Sequence, residues 1–528
     1  MAEPAPATSL DLASQRELVL TLQQALGAQL IETHISYVLL AGDEAWKIKK
    51  VLNLGFADFS TLALRKLFCE EELRLNRRTA PQLYLDVQPV TGTLHQPQLG
   101  GRGAVLDWAL HMRAFSQEGL WDRLAQRGAL GATQIDELVE ALWQLHRGAA
   151  VAGPHSPYGR PVHVREPMSD NLRALAALCR EDDERDALQR LCRWEAQAFE
   201  ALRETFAQRQ ASGCVRETHG DLHLGNVAQV DGRTVLFDCL EFNADLRWVD
   251  VFSDVAFMAM DLHSHGLQAL SHRFVNAYVE RSGDAEGLRV LRYYRVHRAL
   301  VRAKVAALRA AQLDDDAARG ERQSLHHYLQ VALDSSHPPP PVLLLTHGVS
   351  GSGKTVATQG LLEAAGAIRF RADVERKRLF GLQPLQRVDA VRQAQLYSDG
   401  AGRATAQRLR DLAALALHSG YSVILDATFL AREARDSARA MAAGLGVGFA
   451  ILHFEARPET LRERVRRRAE QRNDASDADL EVLQAQLSKA QALGDDELDA
   501  VLTLDAERAW ESADAWRPLL PRLGLAGG

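Results

Sequence analysis

One residue separates the apolar run Val342–Thr346 from the octapeptide GVSGSGKT, Gly348–Thr355. Few short segments restrict a fold as tightly. A buried strand must turn through glycines, and its backbone N–H groups curl inward before a helix begins. The pattern G-x-x-x-x-G-K-[ST] is met at Gly348, Gly353, Lys354 and Thr355. Such a loop cradles phosphate. The backbone of Gly348, Ser350, Gly351, Ser352 and Gly353 lines the cradle, and the following helix adds its positive end. Lys354 is expected on the β- and γ-phosphates of ATP, and the Thr355 hydroxyl on Mg²⁺.

Beyond this loop the chain alternates. Short apolar runs at Ile368–Arg371, Ser422–Asp426, Gly448–Phe454 and Ala500–Leu504 are separated by helical stretches. That rhythm predicts a parallel sheet with helices on both faces. Asp373 follows the second strand and Asp426 ends the third, at the edge where ligands bind in such sheets. A helix cap at Asp373 and a turn at Asp426 are the plainer alternatives. The basic segment from Arg462, RERVRRRAEQRNDASDAD, reads as a lid or as an exposed helix with a polar loop. Arg464 and Arg468 share one face of it.

The proline run in Ser335–Pro341 cannot continue a helix and marks a boundary. Three parts are expected: residues 1–335, a linker at 336–341, and residues 342–528. In the first part, residues 36–52 read as two strands about a Gly42-Asp43 turn. A helix over Thr61–Arg78, extended segments at Leu83–Val90 and Ala104–Met112, and a mostly helical remainder follow. Asp314–Asp316 reads as a solvated loop.

Within that helical remainder lies HGDLHLGN, His219–Asn226, followed by VLFDCLEF, Val235–Phe242. Asp221 and Asn226 stand five apart, the spacing at which one aspartate accepts a hydroxyl proton and an asparagine holds a metal ion. Asp238, on the strand just after, is placed as a second metal ligand. His219 is expected to orient the loop, and His223 to be packed or hydrogen-bonded. Lys47 and Lys49 alternate onto one face of their strand, and a resemblance of Ala45-Trp46-Lys47 to the strand of the aminoglycoside phosphotransferase and choline kinase superfamily favours Lys47 as the phosphate-pairing lysine. Its partner is expected to be Glu72, with Glu71 second; a solvated acidic surface at 70–72 is the alternative.

Composition excludes several classes. The net charge is −7 and the five cysteines form no CxxC pair, which argues against a general nucleic-acid binder, a disulfide scaffold and a zinc site. No apolar run reaches membrane-spanning length. MAEPAPATSL lacks the features of a secretion signal, so a cytoplasmic chain is expected.

Residues 342–528 resemble the P-loop kinases related to polynucleotide 5′-kinase, gluconate kinase and zeta toxins, an AAA-type group. The resemblance makes Asp373 the base, Arg376 a substrate-positioning arginine, Asp426 a ligand near the metal, and Arg464 and Arg468 lid arginines. Residues 30–335 resemble the aminoglycoside phosphotransferase and choline kinase superfamily, closest to members fused to a C-terminal P-loop kinase. Asn53–Arg78 and Glu241–Leu262 carry that likeness, which makes Asp221 the catalytic base and Asn226 and Asp238 the metal ligands. The implied fold is α/β and α+β: a two-lobed protein-kinase-like part and a P-loop part with a parallel sheet between helices. Asp-Phe-Gly is replaced by Asp238-Cys239-Leu240, and a glycine-rich nucleotide loop is missing.

The implied activity is a bifunctional ATP-dependent phosphotransferase acting on hydroxyl acceptors, expected to be small molecules. A regulatory ATP-binding protein with only the P-loop part active and a nucleic-acid 5′-hydroxyl kinase are the alternatives. Arg295, Arg298 and Arg302 recur at i, i+3 and i+7, which favours an anionic acceptor if they line its pocket. Bridging to acidic neighbours is the equal alternative.

Overall fold

The computed structural model describes residues 10–55, 57–471 and 479–525, with no account of the side chains at 315, 390, 469 and 471. Part of the basic lid segment, residues 472–478, therefore lies outside the described residues. The chain forms two compact units: Met1–Ser169 with Arg203–Asp261, and Asp170–Leu202 with Leu262–Gly528.

In the first unit six antiparallel strands form one sheet. They are β1 (Gln29–Glu32), β2 (Ser36–Ala41), β3 (Glu44–Lys49), β4 (Tyr84–Thr93), β5 (Gln96–Leu99) and β6 (Val105–Arg113), in the order β1-β2-β3-β6-β4-β5. The β2–β3 turn falls at the expected Gly42, whose φ of +60° suits glycine. Alternation along β3 divides its side chains. Trp46 and Ile48 join Leu18, Val19 and Leu22 of helix Leu12–Leu26 in one apolar cluster, and Lys47 and Lys49 take the opposite face. Helix Leu62–Asn76 covers that opposite face. It begins where Thr61 accepts the Leu64 N–H at 3.2 Å, and it buries Cys69 in a cluster with Tyr84 and Leu110.

The rest of this unit carries β7 (Val215–Glu217), the hairpin β8 (Val227–Val230) with β9 (Arg233–Leu236), and β10 (Trp248–Asp250), which pairs with β7. The segment HGDLHLGN links β7 to β8, and Asp238 follows β9. Helix Val251–Ser264 starts directly after β10.

The second unit holds five parallel strands: β11 (Val342–His347), β12 (Ile368–Arg371), β13 (Val423–Asp426), β14 (Gly448–Glu455) and β15 (Val501–Asp505). Their order is β12-β13-β11-β14-β15. Each matches an expected strand to within one residue at either end. The fold class is the expected one, mixed α/β with a parallel sheet in the P-loop part. Trp516, fully buried, ties the sheet's helical cover together by donating its indole N–H to the carbonyl of Ala357 at 2.9 Å.

Two features depart from expectation. Asp314 is a helix cap rather than a loop residue: its carboxylate accepts the Ala317 N–H at 3.1 Å and starts helix Asp315–Ser336. The compact units also do not divide at the proline segment. Residues 262–336 group with the parallel sheet because helix Gln268–Ser282 docks on it. Asn276 accepts the Arg369 N–H of β12 at 2.7 Å, and Arg273 pairs with Glu363 at 2.8 Å.

Candidate functional site

The first unit concentrates charge behind β3. Lys47 Nζ lies 2.7 Å from Glu72 Oε1 and 2.7 Å from Asp238 Oδ1. Lys49 Nζ lies 2.6 Å from the other Glu72 oxygen and also contacts Glu241. Glu72 is therefore shared by two lysines. Glu71 instead pairs with Arg74 and Arg247, each at 2.7 Å. Burial alone would raise the Glu72 carboxyl, but the two ammonium groups outweigh it and hold the group at about 2.

That depression fixes a pH dependence. A carboxyl whose folded value lies below its ordinary 4.5 supplies stability fully present above that pH, and loses it as pH falls toward about 2. Glu72→Gln leaves two buried lysines short of charge and is expected to cost about 3–5 kcal/mol at neutral pH. In denaturant unfolding followed against pH, the gap to the wild type should narrow from pH 4.5 downward. A gap independent of pH would contradict this account.

The loop between β7 and β8 is held from below. Asp254, buried on helix Val251–Ser264, accepts the N–H groups of His219 at 2.8 Å and Gly220 at 3.0 Å. Asp261, on the same helix, accepts the Leu224 N–H at 2.9 Å. His219 fastens the loop to the strand behind it through Phe237 O at 2.9 Å. His223 caps the short turn at Gly225, 3.1 Å away, and stacks at an angle on Phe257.

Asn226 Nδ2 donates to the carbonyl of Asp221 at 2.9 Å and to its carboxylate at 3.2 Å. Its own carbonyl oxygen is thus turned the other way. Asp238 has φ of +59°, a conformation a non-glycine residue keeps only under constraint. Tyr84 and Asn76 supply it, accepting the N–H groups of Asp238 at 3.1 Å and Cys239 at 2.8 Å. The donors offered by Asp221, Asn226 and Asp238 are all oxygen, which suits a hard cation such as magnesium.

In the second unit the eight-residue loop is curled. Gly351 and Gly353 have φ of +85° and +80°, and a Cβ on Gly351 would come within 2.8 Å of Leu461 O. Lys354 Nζ donates to Gly348 O and Val349 O, each at 2.8 Å, and to Ser352 Oγ at 3.2 Å. Thr355 Oγ1 donates to Asp426 Oδ2 at 2.7 Å, so the hydroxyl and the strand-end carboxylate share one place. Again the donors are oxygen and suit magnesium. Ser350 N–H donates to Gln486 Oε1 at 2.7 Å.

Asp373 sits in the first turn of helix Ala372–Leu379 and pairs with Arg376 at 2.5 Å. Arg376 lies over the Tyr397 ring at 4.9 Å. Burial and the neighbouring Asp373 push the Tyr397 phenol up to about 12, with the charge of Arg468 among the opposing influences. Arg464, on helix Pro458–Gln471, reaches Ala506 O at 2.9 Å and approaches Gly351 O at 3.5 Å.

Proteins of Mycobacterium tuberculosis (strain H37Rv) and Mycobacterium bovis, both described as uncharacterized, are 31% identical to this chain over 445 residues, 84% of the chain and 87% of each relative. The chain belongs to their family. Residues 343–493 match the AAA domain family. Among solved structures, a choline/ethanolamine kinase family protein from Mesorhizobium loti shares 15% identity over 61% of this chain and 97% of its own, with a TM-score of 0.36. A sugar kinase from Janibacter sp. HTCC2649 shares 22% identity over 36% of this chain and 96% of its own, with a TM-score of 0.26.

In this family member, the sequence-picked residues meet in four small sets, two in each compact unit. Lys47, Glu72 and Asp238 touch, and so do Asp221 and Asn226. Lys354, Thr355 and Asp426 surround the P-loop, and Asp373 and Arg376 face each other beside Tyr397. The arginine stripe lies on helix Leu288–Ala310, where Arg298 is buried and Arg302 stacks on Tyr328 at 5.5 Å.

Sequence reasoning missed Lys49 as a second partner of Glu72, and it missed Glu241, Asp254, Asp261, Tyr84, Asn76, Tyr397 and Gln486. One signal was available: Asp254 and Asp261 stand seven apart in the otherwise apolar VFSDVAFMAMDL, on one helix face. Asp254→Ala removes the acceptor for two loop N–H groups and is expected to cost at least about 2 kcal/mol. Hydrogen exchange at residues 219–226 should rise in that variant; unchanged protection would assign the loop's order elsewhere.

Proposed function

We propose that the chain is a cytoplasmic, bifunctional ATP-dependent kinase that moves a γ-phosphoryl group onto hydroxyl acceptors at two separate sites. The observation that carries this reading is the position of Lys47, shared between Glu72 and Asp238, in a chain that also holds a complete P-loop.

At the first site Asp221 accepts the proton of the attacking hydroxyl, and Asn226 prevents its carboxylate from rotating away. Lys47, fixed by Glu72, contacts the phosphates. Asn226 and Asp238 would hold magnesium, which when bound neutralises phosphate charge. At the second site the P-loop amides and Lys354 grip the phosphates, and Thr355 and Asp426 would hold the metal. Asp373 takes the acceptor's proton and Arg376 positions the acceptor. Arg464 and Arg468 offset charge as the phosphoryl group moves.

The acceptors are proposed to be small molecules. The test is transfer of labelled phosphate from ATP to a panel of sugars, amino alcohols, nucleosides and 5′-hydroxyl oligonucleotides. Labelling of a small hydroxyl compound supports the reading. Labelling of the oligonucleotide alone replaces it with a nucleic-acid kinase.

A further inference from the structure

Gln486 touches the P-loop from outside its G-x-x-x-x-G-K-[ST] pattern. It lies on helix Leu480–Lys489, one turn beyond Leu483. Leu483 packs with Val349 of the loop and with Leu461 and Val465 of helix Pro458–Gln471. The helix is therefore anchored on the loop itself, and Gln486 is carried to Ser350, where its oxygen accepts the backbone N–H at 2.7 Å.

That bond fixes the orientation of the amide. The oxygen must face Ser350, so the NH₂ group faces away, with two hydrogens that no described residue accepts. The position along the cradle matters as well. Lys354 Nζ, the group that reaches β- and γ-phosphates, rests on Gly348 O and Val349 O. The Gly348–Ser350 end of the loop is thus the β/γ end, and Gln486 stands at it.

We infer that Gln486 is a γ-phosphate-recognising residue of the P-loop site: its oxygen braces Ser350, and its NH₂ group donates to the terminal phosphoryl oxygens of a nucleoside triphosphate. This rests on the proposed nucleotide site at Gly348–Thr355. It adds a means of distinguishing a triphosphate from a diphosphate, because only the triphosphate places an acceptor before that amide.

Calorimetric binding of ADP and of a non-hydrolysable ATP analogue, with magnesium, tests it in the full chain carrying Lys47→Met together with Asp238→Ala, which removes the lysine and a proposed metal ligand by which the first site would hold nucleotide. Gln486→Met and Gln486→Glu are each expected to weaken the ATP analogue roughly ten- to a hundredfold and ADP by no more than about twofold. The methionine variant separates loss of a donor from repulsion by a carboxylate. Equal weakening of both nucleotides would make Gln486 a brace only and overturn the inference. So would a loss confined to Gln486→Glu, or no loss at all. If the doubly substituted parent binds neither nucleotide, the P-loop reading itself fails, and the inference with it.

Discussion

Lys354→Ala is expected to lower phosphoryl transfer at the P-loop site by about 10²–10³-fold. The ammonium group is buried and held by Gly348 O, Val349 O and Ser352 Oγ, so its charge is already fixed at the mouth of the cradle. Alanine removes the charge and leaves the loop's glycines as they are. Turnover is read in a chain whose first site is silenced by Lys47→Met, so that residual ATP consumption belongs to the P-loop. Unchanged turnover there would show that the curled loop is not where transfer occurs. Because Thr355 and Asp426 remain paired, some magnesium-dependent nucleotide affinity should survive, weaker than in the parent.

How much of this could be read beforehand depended on what each element buries. The central strands β11, β13 and β14 are buried among their neighbours and appear as nearly continuous apolar runs, while the edge strands β12 and β15 alternate apolar with polar residues, and the limits of all five were legible. The P-loop was legible because its glycines answer a backbone requirement that no other residue meets. Lys47 and Lys49 were correctly placed on one face by alternation alone. Their joint claim on Glu72 was not, because it depends on helix Leu62–Asn76 crossing behind β3. Edge strands β1 and β5, four residues each and rich in polar side chains, carried no comparable signal.

The hidden residues share a physical cause. Asp254 and Asp261 act on backbone N–H groups some 35 positions away, so local spacing reveals their exposure to a loop only after helix Val251–Ser264 is in place. Gln486 is similar: an amide on an amphipathic helix looks like surface until Leu483 anchors that helix on Val349. Docking of helix Gln268–Ser282 rests on Asn276 and Arg273, two polar residues whose partners lie about 90 positions along the chain. The proline run marks a real break in helix but does not mark the edge of a compact unit. Chain stiffness and packing are separate properties.

At the first site, Asp221→Asn is expected to slow transfer by about 10²–10⁴-fold while leaving the KM for ATP nearly unchanged. The substitution keeps the side chain's shape and still offers an oxygen to Asn226 Nδ2, so the loop held by Asp254 and His223 should not move. Lys47, Asn226 and Asp238 are untouched, and nucleotide binding should follow them rather than residue 221. What is lost is the group proposed to take the hydroxyl proton. The measurement is kcat and the KM values for ATP and for the acceptor in a chain with the P-loop silenced by Lys354→Ala. A variant that keeps the rate would move the base elsewhere. One that loses ATP binding instead would make Asp221 a nucleotide ligand, since a base that contacts only the acceptor has no means of weakening the hold on ATP.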